Sequence, residues 1–109
     1  MLGFAAIRKP GFPGEHLDRV RWRSLIGEFP ELRRIESMTV GGRIYPIPDS
    51  AEVIDGDGNP TGVFVWESGQ IYVDGPYSMI QLARGIAEIL DAYVVDDAGD
   101  EIMAVPDDE

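Results

Sequence analysis

The sequence predicts an α+β fold, an antiparallel sheet of about six strands built from hairpins, with two helices packed on one face. Three observations carry that expectation. Residues 15–29 and 77–92 repeat apolar side chains at helical spacing. Around them lie short runs rich in β-branched and aromatic residues, which suit a pleated, half-buried surface. Turn signals of two to six residues separate several of those runs, so adjacent strands are joined as hairpins. A chain of 109 residues is one domain by size and has length enough for a single modest core, so residues 1–109 are read as one unit.

Taken in order, Gly3-Phe4-Ala5-Ala6-Ile7 is a first strand. Its apolar run is short, and Arg8 and Lys9 follow rather than precede it, which is the wrong order for a secretory signal. Lys9-Pro10-Gly11-Phe12-Pro13-Gly14 is a breaker-rich loop. In the helix expected over 15–29, Leu17, Val20, Ile26 and Phe29 share an apolar stripe with Trp22 or Leu25 at its edge. Asp18, Arg19, Arg21 and Arg23 are expected on the exposed side. Pro30 stops this helix, and 31–35 is expected to add one helical turn.

Three hairpin signals follow. Gly41-Gly42 suits the positive φ angles of a two-residue turn between 37–40 and 43–45. Asp55-Gly56-Asp57-Gly58-Asn59-Pro60 separates 52–54 from 62–66. Ser68-Gly69 joins that strand to 70–73, and a tight turn there pairs Trp66 with Ile71 and Phe64 with Val73 on one apolar face. Pro76 is expected to open the second helix. Met79, Leu82, Ala83, Ile86 and Leu90 form its buried stripe, flanked by Ile80, Ala87 and Ile89. Phe64, Trp66, Ile71 and Val73 should therefore face Leu82, Ile86 and Leu90. Gly85 weakens this helix unless it permits a close approach to the sheet. A last hairpin joins 93–95 to 101–105 through Asp96-Asp97-Ala98-Gly99-Asp100, and 106–109 is an acidic tail expected to fray.

Charge is sorted along the chain. Residues 1–45 hold eight of the nine basic side chains against five acids, a net of +3. Residues 46–109 hold the other fifteen acids and only Arg84, a net of −14, and the whole chain carries −11. Asymmetry of this kind points to a charged partner. With no cysteine there is no disulfide, no thiol nucleophile and no zinc-thiolate site. No stretch reaches the length of a membrane span, so the expected compartment is the cytoplasm and no membrane partner is expected.

The motifs narrow the chemistry. Asp55, Asp57 and Asn59 hold positions 1, 3 and 5 of a calcium-type loop, but Pro60 stands at position 6 and Trp66 at position 12, where glycine and a bidentate acid are needed. A turn built from residues that tolerate turn geometry explains the segment, and no metal or cofactor is expected. The lone histidine, His16, is expected in the first turn of a helix facing solvent. Asp18 lies two residues away, a separation that does not bring side chains together on a helix, so no catalytic residue is assigned. No Walker or dinucleotide motif occurs. Arg19, Arg21 and Arg23 fall on alternate helical positions, and the overall charge repels a phosphate backbone, so direct nucleic-acid binding is not expected. The arginines are read as solvating their helix, some of them paired with the acidic portion.

What remains is the acid-rich portion. The sequence predicts a non-enzymatic binding module, acting like an inhibitor, an immunity protein or a DNA mimic on a basic protein partner. Asp55, Asp57, Asp96, Asp97, Asp100 and Glu101 are its candidate residues. The alternative is a small accessory subunit that self-associates, for instance as a homodimer. An uncharacterised enzyme is the third reading. An acidic surface that serves only solubility is the plain explanation against which these stand.

Overall fold

The structure, a computed structural model, describes residues 2–76, 78–96 and 98–102, with side chains from residue 5 onward. In chain order the elements are β1 (Leu2–Arg8), α1 (Arg19–Glu28), β2 (Leu32–Val40), β3 (Arg43–Ile54), β4 (Pro60–Glu67), β5 (Gln70–Gly75), α2 (Met79–Ile89) and β6 (Tyr93–Val95). The strands form one six-stranded sheet in the order β2-β3-β4-β5-β1-β6, with every neighbouring pair antiparallel. Three hairpins build the β2–β5 half. β1 docks on the outer edge of β5, and β6 returns along β1. The α+β fold expected from the sequence is the fold observed.

Register places the core on one face. Trp66 pairs with Ile71 and Phe64 with Val73, as the Ser68-Gly69 turn predicted, and both turn residues have positive φ. Val73 in turn faces Ala5, Ile71 faces Ile7, and Phe64 faces Ala51. These side chains and both helices belong to one apolar cluster, in which Trp22, Leu25, Phe64, Ile71, Ala83 and Ile86 are inaccessible to solvent. Trp22 packs edge-on against Phe64, with ring centroids 6.1 Å apart.

Helix α1 begins four residues later than the periodicity suggested. Asp18 caps it, its carboxylate accepting from the Arg21 amide at 3.1 Å. Residues before it are held out of the helix, because the Leu17 amide donates to the Gly69 carbonyl at 2.9 Å. The buried stripe is consequently Trp22, Leu25 and Ile26, with Phe29 packed beside them, an i, i+3, i+4, i+7 set. Val20, two positions from Trp22 and so nearly opposite on the helix, is 75% exposed. The expected helical turn over 31–35 is strand instead. Leu32 to Ile35 pair with Val53 to Ser50, and a strand partner satisfies backbone groups that one isolated helical turn would leave open.

Helix α2 also starts later than expected. Ser78 is its N-cap, so Pro76 lies before the helix rather than at its first position, and Tyr77 falls outside the described residues. The helix is rolled slightly from the expected face. Met79, Ile80, Ala83, Ile86, Ala87 and Leu90 are buried, while Leu82 is half-buried and Ile89 exposed. In the last hairpin β6 is followed by a single bridge from Val95 to Glu101, and 103–109, including the tail over 106–109, lie outside the described residues.

Two features of β3 shape the surface around it. Its first half pairs only with β2 among the described residues, since β4 meets β3 over 51–54 alone. Residues 37–48 therefore project from the sheet as a two-stranded ribbon closed by Gly41-Gly42, both at positive φ. Val40, Ile44 and Tyr45 on this ribbon are exposed, Ile44 to 71%. The second feature is a wide bulge. Ile35 pairs with Ser50 but Ser37 with Pro46, so Ile47, Pro48 and Asp49 stand opposite Glu36 alone. The sequence predicts separate strands over 43–45 and 52–54. The bulge accommodates both prolines in one long strand and turns Asp49 (φ 60°) away from its regular direction.

Candidate functional site

The acidic residues singled out from the sequence, Asp97 aside, lie in or beside two hairpin loops of the same construction. In the first, the Asp55 amide donates to the Asn59 carbonyl at 2.9 Å and the Gly58 amide to the Asp55 carbonyl at 3.0 Å. The Asp55 carboxylate accepts from the amides of Asp57 and Asn59, both at 2.9 Å. In the second, the Asp96 amide donates to the Asp100 carbonyl at 2.9 Å and the Gly99 amide to the Asp96 carbonyl at 3.0 Å. The Asp96 carboxylate accepts from Ala98 at 3.0 Å and Asp100 at 2.9 Å. Gly58 and Gly99 fill the fourth position with φ of 83° and 89°, where a side chain is strained.

Sheet topology brings both loops to the same end of the molecule. The 55–59 loop leaves β3, and the 96–100 loop leaves β6 at the end of β1 where Leu2 pairs with Gly75. Four inter-strand steps separate β3 from β6, roughly 19 Å at the usual strand spacing. Asp55 and Asp96 each commit a carboxylate oxygen to their own loops. Asp57, Asp100 and Glu101 are exposed and enter no ion pair among the described residues; Asp97 lies outside them. Glu101 also borders a hollow of about 180 Å³ between α2 and β6, with Arg84, Glu88 and Tyr93. No group of three or more His, Cys, Asp or Glu among the described residues is arranged to hold a metal.

Five arginines pair with carboxylates, some of them from the acidic portion as expected, and two of those on α1 converge on one acceptor. Arg19 and Arg23 are four residues apart on α1 and reach the same acceptor, Asp49, which is only 4% exposed. The Arg19 Nε donates to Asp49 Oδ2 at 2.6 Å, and a second Arg19 nitrogen pairs with the same oxygen. Arg34 of β2 donates to Oδ1 at 3.1 Å, and the Arg23 Nε lies 3.3 Å from it. The Asp49 carbonyl accepts from the Trp22 indole N–H at 2.7 Å, tying the bulge to the core. Arg34 also donates to Glu36 at 2.7 Å, Arg21 to Glu28 at 2.9 Å and Arg33 to Glu52 at 2.8 Å. Asp49 and Glu52 come from the acidic portion of the sequence, in keeping with arginines paired to it. Asp49 was not among the candidate residues. The signal that could have found it is the four-residue spacing of Arg19 and Arg23, which puts two guanidinium groups on one helix face.

Beside this cluster opens a cleft of about 500 Å³, lined by His16, Leu17, Arg19, Pro48, Trp66, Ser68 and Gly69. His16 precedes α1 rather than lying in its first turn. It is exposed, and its ring lies 6.2 Å from that of Phe12. The Arg19 guanidinium carbon lies 5.7 Å from the centre of the Trp66 ring. No family model matches the chain, and neither a curated protein nor a solved structure is found similar to it. No helix among the described residues is long and apolar enough to cross a membrane.

Proposed function

We propose that this protein is a non-enzymatic binding module that engages a basic protein through the acidic end of its sheet. One observation supports the reading above others: five of the eight basic side chains of the first 45 residues are engaged by carboxylates within the molecule, while three of the candidate acids are displayed. Arg19, Arg21, Arg23, Arg33 and Arg34 each pair with a carboxylate. Asp57, Asp100 and Glu101 stand exposed on two loops at one end. Such charges act on a basic partner over about a Debye length, near 8 Å at physiological salt, and chiefly accelerate encounter. An inhibitor, an immunity protein or a DNA mimic would use this physics.

The test is to isolate a basic partner, purify it and measure association rates as salt is raised. Replacing Asp57 and Asp100 by Asn and Glu101 by Gln should slow association roughly tenfold at low salt and much less at high salt. The same result should not follow from Arg21→Gln, whose partner Glu28 lies on its own helix. A partner that tolerates the triple variant and is lost with the arginine variant would sink the proposal.

A second reading is favoured by the ribbon over 37–48. A two-stranded ribbon is at best marginally stable alone in water, and this one exposes Val40, Ile44 and Tyr45. A self-associating accessory subunit would cover it. Sedimentation of the parent against Ile44→Asp separates the two readings, since only self-association predicts a smaller species for the variant.

A further inference from the structure

We propose that the cleft between the start of α1 and the β4–β5 turn binds a small organic anion, its oxyanion held by Arg19 and its flat ring laid against Trp66. Asp49 supplies the reason. A carboxylate has about four acceptor positions. Hydrogen bonds from the Arg19 Nε and from Arg34 take two of them, and a second Arg19 nitrogen and the Arg23 Nε crowd the same two oxygens as ion pairs. The three guanidinium groups carry about fifteen N–H donors between them, five each. Beyond Asp49, only Glu36 takes one of the rest among the described side chains. All three arginine side chains are about half exposed, so the unused donors face outward. Counting Asp49 and Glu36, the cluster retains one net positive charge.

Neutralising one buried carboxylate requires one arginine, and here there are three. The surplus has a specific consequence. Arg19 need not leave Asp49 to meet a ligand: its Nε and one terminal nitrogen hold Oδ2, Arg23 and Arg34 contact Oδ1, and the remaining N–H donors on the outer edge of Arg19 are unused. Of the three, Arg19 is the one that lines the cleft.

The cleft itself is built rather than incidental. The Leu17 amide is bonded to the Gly69 carbonyl, and a side chain at Gly69 would collide with the His16 ring, so the loop before α1 rests directly on the β4–β5 turn. Leu17, Pro48 and the Trp66 indole supply apolar wall, and the Trp66 amide is fixed by the Ser50 hydroxyl at 3.1 Å. The cleft is open on its outer side, so a ring-bearing ligand would lie along its wall rather than be enclosed. A planar wall beside a cation selects a planar group attached to a phosphate or carboxylate, since guanidinium pairs such oxyanions through two parallel hydrogen bonds. The residues involved are not those of the acidic loops, so this site stands or falls independently of the protein partner.

The experiment uses the whole protein and its tryptophan emission. Trp22 is inaccessible to solvent and Trp66 is half-buried, so a ring landing in the cleft alters Trp66. The probes are phenyl phosphate and adenosine 5′-monophosphate, each titrated beside its uncharged counterpart, phenol and adenosine. At least one phosphate should act at a concentration roughly tenfold or more below its counterpart, as a charge-assisted bidentate contact implies. Arg19→Gln should erase that preference, Arg19→Lys should recover part of it, and Arg43→Gln on the ribbon should leave it unchanged. Trp66→Phe should remove the optical signal while calorimetry still detects weakened binding. Thermal melting of each variant confirms the fold. Equal action of phosphates and counterparts, no response to any probe, or a preference that survives Arg19→Gln in a folded variant would overturn the proposal.

Discussion

At Asp49 a buried carboxylate, a left-handed backbone and three guanidinium groups meet, and the three do not weigh equally. Arg23 and Arg34 are about half exposed and share Oδ1, so either one still holds that oxygen when the other is changed to Gln. Each of these single changes should cost under about 1 kcal/mol. Arg19 alone holds Oδ2, and Arg19→Gln should cost more. Asp49 is the one partner that all three share. Asp49→Asn keeps the shape, and asparagine tolerates positive φ, so the substitution isolates the loss of charge. It should cost about 1.5–3 kcal/mol, the range for hydrogen bonds to a charged group, and exceed the Arg23 or Arg34 variant in urea titration. Equal losses would mean that the carboxylate is not the hub. This residue was illegible in the sequence because it falls between the strands expected over 43–45 and 52–54. A bulge is defined by what lies opposite it, and one strand alone does not contain that information. Asp55 and Asp96 were legible as turn residues, since their bonds run to amides only two and four positions away.

The elements show the same division between local and long-range causes. The hairpin over 62–73 was legible down to its pairs, because a two-residue turn fixes register and alternation fixes the face. Helix α1 was misplaced by a turn because the bond from Leu17 to Gly69 overrides the local pattern. For α2 the apolar residues were right and the roll of the helix was not. Ile86 is inaccessible and Leu82 half-buried, so Ile86→Ala should cost about 2–5 kcal/mol and Leu82→Ala clearly less. The reverse order in denaturant titrations would restore the face expected from the sequence. Gly85, by sequence alone, is either a packing device or a plain weakness of its helix. A Cβ there would meet nothing within 4 Å, so Gly85→Ala should stabilise the protein by about 0.5–1 kcal/mol and raise its melting temperature. A loss of stability would show that the glycine has a packing role after all.

Across the whole molecule, two electrostatic effects oppose each other as salt is added. Screening weakens the surface ion pairs of Arg21 with Glu28 and Arg33 with Glu52, each contributing at most about 1 kcal/mol. It also relieves repulsion within a chain of net charge −11. The second effect should win, so the melting temperature should rise as sodium chloride goes from about 0.02 to about 0.3 M, over which the Debye length falls well below 10 Å. A fall would mean that the arginine network carries more of the stability than its exposure allows. The sorting of charge along the sequence was legible, but its disposition in space was not. Antiparallel pairing sends β3 and β6 out at the same end, and nothing in either loop announces the other.

The ribbon makes β3 a lever. Its outer arm, from Arg43, is held by one neighbouring strand among the described residues, and its inner arm over 51–54 by two, with Asp49 between them as the fulcrum. Amides of the outer arm should therefore exchange with solvent deuterium through local opening, while those of the inner arm wait for global unfolding. Whatever grips the tip at Ile44 applies its torque at the carboxylate that Arg19, Arg23 and Arg34 hold.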